Sequence, residues 1–338
     1  MKCRHCNSAN LRPVIDLGSS PPSNAYLLEN ELSSAEMWLP LKVNICSECF
    51  LVQTEDYARA GDYFDADYAY FSSFSESWLE HSRAYVDDME RLFELNHKSM
   101  VIEVAANDGY LLQFVKEKNI PCLGIEPTIS TAEAARDKGI EIVSEFFGVE
   151  LATKLVGQSM SADLTVANNV LAHVPDINDF VKGFSIILKP NGVATFEFPY
   201  LVNLIEENQF DTIYHEHFSY LSMDAVRRIF EFNGLHVFDV TSINTHGGSL
   251  RVFAERHDNP NPRVTSDTVT ELLGYEAKNG YQSERAYCDL QDIAEQAKNN
   301  FLKFLISAKE EGKSVCAFGA AAKGNTFINF SGIRPDLI

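Results

Sequence analysis

The sequence predicts an α/β fold: a parallel sheet with helices on both faces, closed by an antiparallel hairpin, with a cysteine-bearing module before it and the start of a second doubly wound unit after it. Three observations carry this. Strand, turn and helix patterns alternate from Met100 onward through MVIEVA, PCLGIE, IEIVSE, ADLTVA and GVATFEF, which is how a parallel sheet covered on both faces is written. Two more apolar segments, LHVFDV and SLRVFAE, flank a turn at Asn244 to Gly248 and form the hairpin. Two CxxC pairs, Cys3 with Cys6 and Cys46 with Cys49, mark the N-terminal module.

A chain of 338 residues exceeds the size at which one core stops growing, so two or three domains are expected. Its hydrophobic fraction of 45% is ordinary, and no run approaches the roughly 18 apolar residues of a membrane span. The start, Met-Lys-Cys-Arg-His-Cys, has no apolar signal region, so a reducing cytoplasm is expected. A net charge of −20 repels polyanions, which argues against nucleic acid as partner. It leaves room for a small phosphorylated substrate held by a few local cations. No membrane partner is expected, and the chain is expected to be a monomer.

In order, residues 1–55 form the cysteine module and 56–98 a helical bridge. The bridge's Trp78, Tyr85, Met89, Leu92 and Phe93 make the apolar stripe of an amphipathic helix. Residues 99–256 form the main sheet domain. Five parallel strands followed by an antiparallel hairpin is the order of the class I methyltransferase sheet, and a dinucleotide-binding fold lacks the hairpin. In residues 257–338, Glu284 to Glu311 reads as a long helix, Ser314 to Phe318 as a strand, and GAAAKGNT as the first turn of a Rossmann-like domain. Too few residues follow to close such a domain, so it is expected to be truncated.

Four cysteines in two knuckles suit a tetrahedral structural zinc, Cys3, Cys6, Cys46 and Cys49 each giving one thiolate. The filled shell leaves no position for catalysis at the metal. Cys122, Cys288 and Cys316 stand alone and read as small hydrophobes.

The stretch Glu103-Val-Ala-Ala-Asn-Asp-Gly109 follows a strand and opens a helix, where a βα turn brings backbone N–H groups to a ligand. GxGxxG cannot be written on it, because Ala105 and Asn107 take glycine sites and hinder approach of a pyrophosphate. S-adenosylmethionine has no pyrophosphate. Glu126 ends the next strand, where a carboxylate can accept both ribose hydroxyl protons, and Asn168 and Asn169 end the fourth. The expected cofactor contacts are Glu103, Ala105, Asn107, Gly109, Tyr110, Glu126, Phe147 and Asn169.

Across nearly its whole length the chain resembles the NDP-sugar C-methyltransferases of deoxysugar biosynthesis. The resemblance is carried by CRHC with ICSEC, PPSNAYL, YFSSFS, EVAANDGYLLQ, GIEPT, NNVLAHVPD, EFP, YHEHFSY, HGGSLR and AFGAAAKGNTF. It implies a zinc module, a central S-adenosylmethionine-dependent methyltransferase domain and a C-terminal Rossmann-like domain. A nucleotide sugar, expected to carry dTDP, would lie between the domains. It also implies that Tyr214 and His217 serve proton abstraction, and that His173 and Tyr68 contact the sugar or its developing oxyanion.

Methylating a carbon next to a ketone needs a base for the α-proton, support for the enolate and a methyl donor in line. Tyr214-His215-Glu216-His217 offers such a set. His217 is the preferred base, since a neutral imidazole titrates close to working pH, with Glu216 orienting a neighbouring imidazole or holding a sugar hydroxyl. Metal binding by the two histidines is a competing reading that lacks a third ligand. His246, Ser249 and Arg251, with Lys323, are candidates for the substrate diphosphate, a plain hairpin turn being the alternative reading of His246 to Arg251. An O-methyltransferase, which needs no enolate support, and a non-catalytic zinc-bearing scaffold are the alternatives.

Overall fold

The computed structural model describes residues 1–57, 71–319 and 322–338. Strands β1 (Leu11–Ser20), β2 (Leu39–Cys46) and β3 (Val52–Thr54) follow one another antiparallel in a small sheet. Along β2 every second side chain turns inward, so Leu41, Val43 and Ile45 are buried. The β1–β2 register starts at Leu11 opposite Cys46, which puts the pairing next to the cysteines.

Helix α1 (Glu76–Phe93) begins where the Ser75 side chain accepts from the Trp78 N–H, satisfying a donor the helix cannot. Tyr85 and Met89 are buried as the stripe predicts, whereas Leu92 is exposed in the last turn, where Phe93 and Leu95 take up the packing. The large sheet then builds from β4 (Val101–Val104), β5 (Cys122–Ile125), β6 (Ile142–Val143), β7 (Ala162–Asn168) and β8 (Leu188–Pro199), all parallel. Strands covered on both faces must be apolar nearly throughout, and Val101, Ile102 and Val104 are accordingly buried. Helices α2 (Leu112–Glu117), α3 (Ile129–Asp137), α4 (Val149–Gly157) and α5 (Ile177–Ile187) lie between successive strands.

After helix α6 (Leu201–Glu206), strand β9 (Ser219–Tyr220) leaves the large sheet and pairs with β3, Val52 opposite Tyr220 and Gln53 opposite Ser219. The small sheet therefore has the order β1-β2-β3-β9, its last strand coming from the far side of the chain. Helix α7 (Met223–Phe232) leads into the hairpin of β10 (Leu235–Ile243) and β11 (Ser249–Arg256). The large sheet reads β10-β11-β8-β7-β4-β5-β6, with β11 antiparallel to β8. This is the expected class I order.

The C-terminal part differs from expectation. A helix unforeseen in the sequence, α8 (Asp267–Asn279), supplies Glu276, whose carboxylate accepts from Tyr200 Oη and from the N–H groups of Met223 and Asp224 at the start of α7. The expected long helix is split into a short 3-10 turn (Glu284–Tyr287) and α9 (Leu290–Glu310). The strand expected at Ser314 to Phe318 is not formed. A strand needs a neighbour for its backbone polar groups, none of the described strands lies beside this segment, and Phe318 is fully exposed. Helix α10 (Ala322–Ser331) is tied back by Thr326 Oγ1 donating to the Ile213 carbonyl at 2.8 Å.

Candidate active site

The carboxyl ends of β4, β5, β7 and β8 open on a cavity of about 540 Å³. On its cofactor side the loop after β4 kinks three times into the left-handed region, at Ala105 (φ 59°), Asn107 (φ 48°) and Gly109 (φ 75°). The glycine-site geometry thus persists with other side chains, and asparagine tolerates it best. A Cβ on Gly109 would come within 2.4 Å of Ile140 Cδ1, so this glycine serves close packing and does not itself line the cavity.

Glu126 links the two cofactor loops. One carboxylate oxygen accepts from the Asn107 N–H at 2.9 Å and the other from the Thr128 N–H at 2.9 Å, and burial pushes its carboxyl up. Asn107 in turn accepts from the Ser72 N–H at 2.9 Å. Glu103 lies fully buried beneath the loop, held well above the usual carboxylate range by burial, and does not line the cavity. Tyr110, Ala105, Asn169 and Phe147 do, Phe147 packing edge-on against Phe184. Asn169 Oδ1 is buried without a partner in the protein, and Asn168, beside Tyr110, faces the same cavity, so they offer hydrogen bonds to a polar ligand here. A left-handed loop, a carboxylate at the end of β5 and amide groups at the end of β7 that face the cavity fit S-adenosylmethionine.

On the chemical side, residues 214–217 run along the seam between the two sheets. Thr54, at the end of β3, donates Oγ1 to the His217 carbonyl at 2.9 Å and its N–H to the Phe218 carbonyl at 3.2 Å. His217 Nδ1 lies 2.9 Å from the Thr212 carbonyl. A carbonyl only accepts, so Nδ1 carries the proton and Nε2 is left as a lone pair. The ring centroid stands 4.0 Å from that of Tyr214 and 4.7 Å from that of His173. Burial, then the neighbouring His173, holds the His217 imidazole well below its ordinary range, and burial pushes His173 down to about 4. Burial thus favours the neutral form of both rings, and His217 does not titrate close to working pH as the sequence suggests, because it is shut away from water beside a second imidazole.

Glu216 is buried and accepts from Asn24 Nδ2 at 2.6 Å, and burial pushes its carboxyl up to about 7. His215 points the other way, its Nε2 against the carbonyls of Leu39 and Pro40 at 3.3 and 3.2 Å, so it fastens the loop to the small sheet. Two histidines so divided do not converge on a metal. Among the described residues the four cysteines alone make such a group.

His246 and Lys323 also line the cavity, His246 with Nε2 3.3 Å from Asn169 Nδ2 and Lys323 from α10. Ser249 and Arg251 do not line it. Ser249 donates to the Thr245 carbonyl, and Arg251 pairs with the buried Glu197 and lies over the Tyr85 ring. Alternation along β11 turns these side chains into the fold. Tyr68 lies outside the described residues. Asn24 and Tyr26 of the cysteine module, Trp78 and Thr212 line the cavity as well. The sequence held a signal for Asn24 in PPSNAYL, while Trp78 was absorbed into the packing stripe.

The sulfurs of Cys3, Cys6, Cys46 and Cys49 all lie within 4.8 Å of one another, two pairs at 3.4 Å. Tetrahedral zinc at about 2.3 Å from each sulfur sets them about 3.8 Å apart, so the cluster fits a structural zinc. Among the described residues no helix is long and apolar enough to cross a membrane.

Sheet order, cofactor cavity and thiolate cluster together define an S-adenosylmethionine-dependent methyltransferase carrying a structural zinc. Residues 77–240 match a methyltransferase domain family, residues 3–64 a zinc binding domain, and residues 244–338 a C-methyltransferase C-terminal domain. The chain is 31% identical over 332 residues to the C-methyltransferase NovU of Streptomyces niveus, covering 98% of this chain and 78% of that protein. It belongs to the NDP-sugar C-methyltransferase family. Among solved structures, magnesium protoporphyrin IX methyltransferase (ChlM) from Synechocystis PCC 6803 with bound SAH is 12% identical over 53% of this chain and 83% of that one, at a TM-score of 0.43. The PH0226 protein from Pyrococcus horikoshii OT3 is 13% identical over 55% and 94%, at 0.45.

Proposed function

We propose that this C-methyltransferase acts on a carbon next to the ketone of a nucleotide-linked, dTDP-bearing keto-deoxysugar, by way of an enolate. The reading rests on His217. Its lone pair at Nε2 is fixed by the Nδ1 contact to Thr212, and it lies in the same cavity as Asn107 and Glu126. S-adenosylmethionine supplies an electrophilic methyl group when bound. Asn107, Glu126, Asn168 and Asn169 would hold it.

In this reading His217 Nε2 takes the α-proton, and the electrons of the broken C–H bond pass into the enolate. Tyr214 and His173 flank His217 at ring distances that let them support the oxyanion. The imidazolium formed is held by the Thr212 carbonyl, and the enolate carbon then closes its new bond to the methyl carbon, the electrons of the broken sulfur–methyl bond staying on sulfur so that S-adenosylhomocysteine would leave. His246 and Lys323 are placed to meet the diphosphate.

Deuterium wash-in to a dTDP-linked 4-keto sugar tests this, first without cofactor and then with the demethylated product bound. His217→Asn is expected to lose exchange and turnover together, a general base contributing about 10²- to 10⁴-fold, while S-adenosylmethionine still binds. Exchange at the wild-type rate in His217→Asn would remove it as base, and loss of exchange in Tyr214→Phe alone would give that role to Tyr214. A wild-type protein that neither exchanges nor methylates this sugar would overturn the substrate class.

A further inference from the structure

Two catalytic imidazoles stand on separate segments: His173 follows β7, and His217 precedes β9. Between the two segments the Phe218 N–H donates to the Ala172 carbonyl at 2.8 Å, and the His173 ring is hydrogen-bonded to the Glu216 backbone. Directly over this junction lies Arg4, the second residue of the first cysteine knuckle, with a side chain only 4% exposed. Its guanidinium spreads over both segments. Nη1 donates to the Pro175 carbonyl at 3.0 Å, Nη2 donates to the Thr54 carbonyl at 3.1 Å and to Asp56 at 2.7 Å, and Cζ lies 5.3 Å from the Phe218 ring centroid. Thr54 is the residue that holds the His217 carbonyl. The backbone of Arg4 is fixed as well: its N–H donates to Gln53 Oε1, and the adjacent His5 carbonyl accepts from Asn178 Nδ2 at 2.8 Å.

We propose that Arg4 is a positioning residue, a guanidinium mounted on the cysteine knuckle that sets the distance between His173 and His217. A planar fork can bond two carbonyls and a carboxylate at once, whereas a lysine ammonium is a point charge that cannot reproduce this pattern. The metal module would then act in the reaction through a named side chain, beyond holding the fold together.

The ring contact can be read without any substrate. In zinc-loaded full-length protein, with protonated histidine in a deuterated background, an NOE should link the imidazoles of His173 and His217. Another should link His236 and His257, whose rings are 6.1 Å apart on the opposite side of the large sheet. In Arg4→Met we expect the first cross-peak to fall several-fold, with the second unchanged and zinc retained. The kinetic arm rests on the function proposed above: kcat should drop roughly 10- to 100-fold, the cost of a displacement near 1 Å, with KM and S-adenosylmethionine affinity little changed. Arg4→Lys should show the same losses. Val43→Ala, which opens a cavity in the small sheet, should lower stability yet keep both cross-peaks and kcat. A full His173–His217 cross-peak in Arg4→Met overturns the proposal. If that variant loses zinc, Arg4→Lys decides: zinc retained with the cross-peak intact overturns it, and zinc retained with the cross-peak lost supports it. A lost cross-peak with unchanged kcat would keep the positioning role and instead refute the function assigned to the two histidines.

Discussion

The two sheets are stabilised in different ways. The seven-stranded sheet buries Ile102, Leu123, Ile125, Ala167, Phe196 and Phe198 at its centre with helices on both faces, a core large enough to hold itself. The four-stranded sheet adds Leu17, Leu41, Val43, Ile45 and Val52 to the same continuous core and carries four thiols at its end. Zinc binding worth roughly 10 to 16 kcal/mol adds folding energy at that end which the large sheet does not draw on. The division of labour follows: most cofactor contacts sit on the large sheet, and the segment carrying His217 sits at the seam with the sheet that holds the metal.

The most severe test of this difference is Cys46→Ser. It should abolish zinc binding, release β9 from β3 and eliminate methyl transfer, while the far-UV helix signal largely persists and S-adenosylmethionine still binds. Metal analysis and calorimetry check it. Loss of cofactor binding to the same degree as zinc would show that the two sheets are one cooperative unit.

Glu126→Ala is the converse and should act on the large sheet alone. A hydrogen bond to a charged group is worth about 1.5 to 3 kcal/mol, so S-adenosylmethionine should bind more weakly by that amount with zinc content unchanged. Equal affinities by calorimetry would take Glu126 out of the site.

The smallest effect belongs to the contact across the seam, Asn24 with Glu216. Burial raises the Glu216 carboxyl to about 7, so the folded state holds its proton more tightly than the unfolded one. The resulting stability is present below the ordinary carboxylate range and is lost as pH rises through about 7. Glu216→Gln keeps the acceptor for Asn24 and removes the charge. Relative to wild type it should gain about 1 to 2 kcal/mol between pH 5 and pH 8 in urea unfolding, less than full linkage because water reaches part of the group. No pH-dependent difference would mean that Glu216 is ionised in both states.

Much of the large sheet was legible because its strands carry periodic apolar runs and its hairpin has a turn signal. Helix α8 was missed because DTVTELLGYEAKN mixes polar residues into its apolar positions, and helix α4 because its stripe of Leu151, Ala152 and Leu155 spans barely two turns. Residues 314–318 looked like a strand on composition, but a strand is a property of a pair. In the site, Asn107, Glu126 and Tyr214 to His217 stand in motifs a sequence displays. Asn24 meets Glu216 across 192 positions, and Arg251 meets Glu197 across 54, and no local pattern announces either contact. Arg251 looked free for a phosphate only because its buried carboxylate partner is distant in the chain.

Strand β9 has a consequence for swapping parts between related enzymes. β3 would expose an open edge to solvent without Ser219 and Tyr220, and an open edge invites pairing with other chains. A chimera that exchanged residues 3–64 alone would pair a foreign edge with a native strand and hang Asn24 over a Glu216 it was not selected with. The smallest transplantable piece is therefore discontinuous: the cysteine module together with residues 212–221. Crossovers placed at the boundary between the matched zinc and methyltransferase regions should give poorly soluble hybrids, and hybrids that carry both segments together should recover.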